Sequence, residues 1–232
     1  MKVAVKLEAI QQQIVDACFK VHRNPNEVRL IAVTKYVSTS RAQEALDAGI
    51  CDLGENRDEG LLEKWQVLKD KPVWHFIGSL QTRKVKNIID KIDYIHSLDR
   101  LSLAEEIQKR TSQKIKCLIQ VNVSGEETKH GIYPNEVIPF VEQLQAFDKI
   151  VIVGLMTMAP LTNDEEELRN CFLRLRELRD QVKARQFAAA PCEHLSMGMS
   201  NDFQIAVEEG ATMVRIGTAL VGEDEDEERV AK

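Results

Sequence analysis

Leu30-Ile31-Ala32-Val33-Thr34-Lys35 is an apolar, β-branched run that ends in a lone amine. Its composition reads as a buried strand, and a helical pattern over 41–48 and a second apolar run at 51–54 follow it closely. That is the βα unit of a parallel sheet, and it recurs. Further candidate strands are 73–77, 93–97, 115–122, 150–155, 193–196 and 212–216. Helical patterns over 57–68, 82–89, 101–110, 135–147, 164–185 and 201–209 lie between them. The clearest is 164–185, where Leu168, Cys171, Phe172, Leu175, Leu178 and Val182 form one stripe. Asn163 opens it as the expected cap, ahead of Asp164, Glu165, Glu166 and Glu167 at the positive helix end.

Eight βα units fit between Leu30 and Gly222, at about 24 residues each, which is short but adequate for a (β/α)8 TIM barrel. An open doubly wound α/β sheet shows the same alternation, and the count of eight is what favours closure. Ahead of the barrel, Ile10, Ile14, Ala17, Cys18 and Val21 share one helical face until Asn24-Pro25-Asn26 turns the chain. The expected organisation is therefore an N-terminal helix and lead-in over 1–29, one barrel domain over 30–222, and an acidic tail over 223–232 with no assigned function.

A net charge of −6 over 232 residues gives no general attraction to nucleic acid or anionic membranes. No apolar run approaches the roughly 20 residues that span a bilayer. Met1-Lys2-Val3-Ala4-Val5-Lys6 lacks the apolar core of a signal peptide, so a cytoplasmic protein is expected. The cysteines at 18, 51, 117, 171 and 192 show no CxxC pair, and the histidines show no HExxH pair. This argues against a metal site or a disulfide framework and for most of the cysteines being small buried thiols.

In a barrel the strand C-terminal ends converge on one mouth. Lys35, Glu55-Asn56, Gly78, Asn122, Thr157, Ser196 and Arg215 fall there. A lysine at a buried strand end loses its charge more readily and can attack a carbonyl, although a strand-end lysine that snorkels to water is the commoner outcome. After the seventh strand, Ser196-Met197-Gly198-Met199-Ser200-Asn201 offers two hydroxyls, a glycine for close backbone approach, and Ser200 as cap of a helix near Asn201. The eighth strand ends Arg215-Ile216-Gly217-Thr218, a second small-residue turn. Two such turns after strands seven and eight favour a phosphate site. Arg215 alternates with Val214 and Ile216, so it points inward and needs an acceptor, either a structural carboxylate or a ligand atom. Asn56 suits a hydrogen bond to a ring substituent or a loop-stabilising turn. His75 on its apolar strand reads as a hydrogen-bonded core residue, and Arg83, Lys84 and Lys86 as a solvated face.

Taken in order, Ala32-Val33-Thr34-Lys35, Gly54-Glu55-Asn56, Trp74-His75-Phe76-Ile77-Gly78, Gly154-Leu155-Met156-Thr157-Met158, Leu195-Ser196-Met197-Gly198-Met199-Ser200 and Val214-Arg215-Ile216-Gly217-Thr218 resemble the pyridoxal phosphate homeostasis proteins, the YggS/PROSC family. The likeness covers nearly the whole chain, and Ser79 departs from it where many relatives carry a bulkier residue. It implies a fold type III barrel akin to the N-terminal domain of alanine racemase. Lys35 would hold pyridoxal 5′-phosphate as a Schiff base. Ser196, Gly198, Ser200, Gly217 and Thr218 would surround the phosphate, Arg215 would face the pyridine nitrogen, and Asn56 would approach the ring's polar edge. A guanidinium stays protonated, so it donates to that nitrogen and weakens the ring as an electron sink. Racemases of this fold add a second acid/base with the help of a C-terminal β-domain. Only ten residues follow Gly222 in this sequence, and no tyrosine follows Tyr133.

The resemblance thus implies a cofactor-homeostasis protein that buffers, carries or delivers pyridoxal 5′-phosphate, with pyridoxal-phosphate-dependent apoenzymes as recipients and without strong catalysis of its own. The sequence, which shows no long exposed apolar helix or second domain, favours a monomer. A racemase-like enzyme of unknown substrate, using His75 or Asn122, is the alternative. A phosphosugar-binding barrel without a Schiff base is a third.

Overall fold

The computed structural model describes residues 2–222, and the expected acidic tail over 223–232 lies outside them. Eight parallel strands close into a barrel in sequence order. They are β1 (Arg29–Val33), β2 (Asp52–Glu55), β3 (Val73–Phe76), β4 (Tyr94–Leu98), β5 (Ile115–Gln120), β6 (Ile150–Met156), β7 (His194–Ser196) and β8 (Met213–Ile216). Closure is made where β8 pairs with β1, with Arg215 opposite Ile31 and Ile216 opposite Ala32. The open-sheet alternative is thereby excluded.

The helices are α1 (Val3–Lys20), α2 (Thr39–Asp47), α3 (Asp58–Leu68), α4 (Val85–Ile88), α5 (Leu101–Arg110), α6 (Val137–Leu144), α7 (Glu165–Ala184), α8 (Phe203–Glu208) and α9 (Thr218–Val221). Two expected helices are shorter than their periodicity suggests. The 82–89 pattern is a one-turn helix between two 3-10 turns, and 135–147 opens with a 3-10 turn at Pro134–Glu136. The cap of α7 is Asp164, one residue later than expected, because its carboxylate accepts from both Glu166 and Glu167 N–H groups.

The helix after β8 has only four residues, too few to cover that side of the barrel. α1 fills the gap by packing on α8, α9 and α2. It buries Val3, Leu7, Ile10, Ile14, Ala17 and Cys18, and burial of each large side chain contributes about 1.5–3 kcal/mol relative to exposure. Val21, expected on that face, is 38% exposed because the helix ends at Lys20. Cys18, Cys117, Cys171 and Cys192 are buried, and burial pushes the Cys171 thiol up to about 11.

Two apolar regions result. The larger lies between sheet and helices. The smaller fills the barrel axis with Ile31, Tyr94, Leu118, Val153, Met156 and Met213. This axial plug forms the floor on which the mouth is built.

Candidate functional site

β1 ends at Val33, two residues earlier than expected. The Val37 N–H then bonds the Thr34 carbonyl and turns the chain outward. Lys35 therefore stands exposed at the mouth and not buried at a strand end. Its neighbour Tyr36 takes the left-handed conformation (φ 68°), with its ring 5.4 Å from the Lys35 Nζ and 5.9 Å from the Arg57 guanidinium. The turn is anchored from below: the Thr34 hydroxyl donates to buried Glu55 Oε1 at 2.6 Å, and Lys64 of α3 pairs with the same oxygen at 3.2 Å. Burial raises the Glu55 carboxyl above the usual carboxylate range. Thr34→Val removes a donor from this enclosed acid, and urea unfolding should show a loss of roughly 1–3 kcal/mol.

Lys35 lines a cavity of about 320 Å3 at the C-terminal mouth, within the range of about 300 to 1,000 Å3 usual for small-molecule sites. Asn56, Ser200, Arg215, Gly217 and Thr218 also line it, so the structure brings together six of the eight expected site residues. Val33, Ile77, Gly78, Ser79, Gln120, Met158 and Met199 complete the wall. Their side chains are apolar, small or amide, and the only sequence signal they carry is a position at or just past a strand end.

Ser196 and Gly198 are not among the residues that line this cavity. Ser196 is fully buried one layer down, where its hydroxyl meets His96 Nδ1 at 2.9 Å and Arg215 at 2.6 Å. Gly198 has φ +92°, and a Cβ there would sit 2.6 Å from the Ala206 Cβ, so close packing of α8 is what demands glycine. Ser200 is not a helix cap either. α8 begins at Phe203, and the turn before it closes through Asp202, whose carboxylate accepts from the Met199 N–H at 2.5 Å.

Among the described residues no carboxylate hydrogen-bonds Arg215. Arg215 donates to Ser196 Oγ and, at 2.9 Å, to the Thr157 carbonyl. Burial lowers its guanidinium to about 10, so it stays charged at neutral pH. Thr157 is fixed in turn by its hydroxyl to the Val121 carbonyl at 2.8 Å. Asn122 spends its amide on the 124–131 loop, donating to the Glu126 carbonyl and accepting from the Gly125 N–H. His75 is enclosed and hydrogen-bonded to Asp52 and His96. Within the basic cluster, Lys84 is not simply solvated, because it pairs with Asp58 and Glu59 of α3.

The mouth thus carries one primary amine, one fixed guanidinium and three hydroxyls around a small-molecule-sized space. That set suits a compact anion bearing a carbonyl group. Residues 5–225 match the family model of the alanine racemase N-terminal domain. The pyridoxal phosphate homeostasis protein of Aquifex aeolicus is 43% identical over 227 residues, covering 96% of this chain and 99% of that one. This chain belongs to the pyridoxal phosphate homeostasis protein family. The Haemophilus influenzae member is 36% identical over 96% of both chains. PipY of Synechococcus elongatus, a structure with pyridoxal phosphate bound, superposes with a TM-score of 0.82 at 31% identity, over 95% of this chain and all of that one. Alanine racemase from Corynebacterium glutamicum shares the fold at 14% identity, with a TM-score of 0.74 over 94% of this chain and 60% of that one.

Proposed function

We propose that this chain binds pyridoxal 5′-phosphate through Lys35 and takes part in its intracellular homeostasis, buffering or delivering the cofactor and not turning over amino acids with it. The observation that carries this is the pairing of Lys35 with a pre-positioned Arg215 across one cavity. The donor set fits the cofactor: an amine for its aldehyde, a guanidinium for its ring nitrogen, and the Ser200 and Thr218 hydroxyls with Gly217 for its phosphate. When bound, the cofactor supplies an aldehyde that condenses reversibly with an amine and a ring that withdraws electrons.

The chain's own residues favour holding over turnover. A donor facing the ring nitrogen keeps it unprotonated and the ring a weak electron sink. Among the described residues, no Asp, Glu, His, Cys or Tyr lines the cavity to act as a second proton carrier opposite Lys35. The racemase-like alternative needs Asn122 or His75, and both are committed elsewhere. Reversible capture at an exposed lysine also suits release to pyridoxal-phosphate-dependent apoenzymes. The reading takes the protein as a cytoplasmic monomer. Among the described residues no helix is long and apolar enough to cross a membrane.

Borohydride reduction of protein incubated with the cofactor, followed by peptide mass analysis, should give a pyridoxyl adduct on Lys35. An unmodified Lys35 would defeat the proposal. Amino-acid α-proton exchange in D2O is expected to stay at background. A Lys35-dependent exchange rate on the scale of common enzymes, ~10 s−1, would establish the racemase reading instead. Gly217→Ala offers a finer check on the phosphate side. Its Cβ would meet nothing closer than Val33 at 3.7 Å, and it adds a methyl to the cavity wall. Titration should show cofactor affinity down by roughly tenfold, about 1.4 kcal/mol, and the thermal midpoint measured alongside separates a pocket effect from a loss of fold.

A further inference from the structure

We propose that Asp52, His75, His96 and Ser196 are positioning residues that form a one-way hydrogen-bond relay through the barrel, fixing the Arg215 guanidinium where it meets the ligand. The inference rests on the reading that the mouth cavity holds pyridoxal 5′-phosphate with Arg215 at its ring nitrogen.

The links are Asp52 Oδ1 to His75 Nε2 at 2.8 Å, His75 Nδ1 to His96 Nε2 at 2.9 Å, His96 Nδ1 to Ser196 Oγ at 2.9 Å, and Ser196 Oγ to Arg215 at 2.6 Å. Both ends dictate the same polarity. An ionised carboxylate only accepts, and a guanidinium only donates. His75 must therefore give its single proton from Nε2 to Asp52, which leaves Nδ1 as an acceptor. His96 donates to it from Nε2, which leaves its own Nδ1 to accept from the Ser196 hydroxyl. The serine's lone pairs then face Arg215. Every proton points toward Asp52, and each N–H of the two imidazoles and the serine O–H has an acceptor along the line. Full burial of both imidazoles lowers their pKa values and keeps each neutral, as this arrangement requires.

The relay crosses the barrel interior between two groups of strands that do not pair with each other, β2, β3 and β4 at one end and β7 and β8 at the other. Tyr94 stacks on the His75 ring at 4.5 Å and 9°, which fixes the imidazole plane. At the far end Asp52 also accepts from Arg29 at 3.0 Å. Both residues line a second cavity, of about 500 Å3, beneath α1. The Arg215 charge is thus linked through polarised hydrogen bonds to a carboxylate near the opposite face.

The glutamine side chain can reproduce the polarity of His96, with its amide N–H toward His75 and its oxygen toward Ser196. Leucine cannot. His96→Leu should weaken pyridoxal 5′-phosphate binding by about tenfold, the low end for second-layer partners, whereas His96→Gln should stay within about threefold of the parent. With [15N]pyridoxal phosphate, the ring-nitrogen resonance should move in the leucine variant and hold in the glutamine one. If both variants lose affinity equally, the role is merely structural and the relay is overturned. Should His96→Leu fail to fold, Ser196→Ala cuts the same line at its other side and is expected to weaken binding similarly.

A readout free of the cofactor is the imidazole 15N spectrum of the unliganded protein, assigned with the same variants. Both His75 and His96 are expected as neutral Nε2–H tautomers. An Nδ1–H tautomer or an imidazolium at either residue at neutral pH overturns the proposal. Loss of the Lys35 adduct in the parent protein would instead defeat the cofactor reading and leave the tautomer result standing.

Discussion

Lys35→Ala is expected to abolish borohydride-trapped incorporation of pyridoxal 5′-phosphate and to weaken its retention by at least ~100-fold, equivalent to roughly 3 kcal/mol. Among the described residues the cavity wall contains no other amine, so no neighbour can replace the lysine. Arg215, Ser200 and Thr218 remain, and with them a residual, non-covalent affinity. Because Lys35 is exposed, its loss should leave stability within about 0.5 kcal/mol, which separates loss of the linkage from loss of the fold. The measurement is the visible absorption band of the bound cofactor together with intact mass after reduction. Full incorporation into the variant, on some other lysine, would remove Lys35 from the proposed function.

Lys35 also shows which part of the site is legible in the sequence. The βα alternation locates every strand, and with it the strand ends where chemistry gathers. Spacing alone thus places Lys35, Asn56, Arg215, Gly217 and Thr218 at the mouth. Depth along the barrel axis is not readable in this way. Period-two alternation says that Ser196 faces inward, but register decides the layer. Ser196 lies opposite Met213, two residues before Arg215, and therefore sits below the mouth. Gly198 carries the signal of a ligand loop, yet its missing Cβ makes room for α8. Local competition is equally hidden, since Ser200 and Asp202 can each order the turn before α8 and the carboxylate does so. The sequence leaves Lys35 open between a buried strand-end amine and one that snorkels to water, and the Thr34–Val37 turn decides the matter by lifting the lysine out. His75, His96, Ser196 and Arg215 lie 21, 100 and 19 residues apart along the relay, so no short sequence window joins them.

The same buried imidazoles make the protein acid-labile in a defined window. His75 is faced by Asp52, Arg29, Asp93 and His96, and His96 by His75, Arg215 and His194. Desolvation is the largest cause at each and holds both folded pKa values below 6.5, His96 well below it. The unfolded chain, with ordinary histidines near 6.5, binds protons that the folded chain refuses. The stabilisation from neutral burial is therefore complete above pH 6.5 and is lost as pH falls from there toward the folded values. While both rings stay neutral in the fold, the slope approaches roughly 3 kcal/mol per pH unit for the pair. Glu55 and Asp202 act with the opposite sign, because burial raises their folded values and acid then favours the fold. Their opposing effect spans the interval from an unfolded value near 4 up to the raised folded one, so the histidine effect is least offset at the alkaline end of the range from about pH 6.5 to 5.5. Urea midpoints measured across that range should fall steeply for the parent protein and less steeply for His96→Gln, which retains His75 and the partly buried His194, whose folded value burial also lowers. A midpoint independent of pH across this window would show that the rings are already charged in the fold, and would take the neutral pair away.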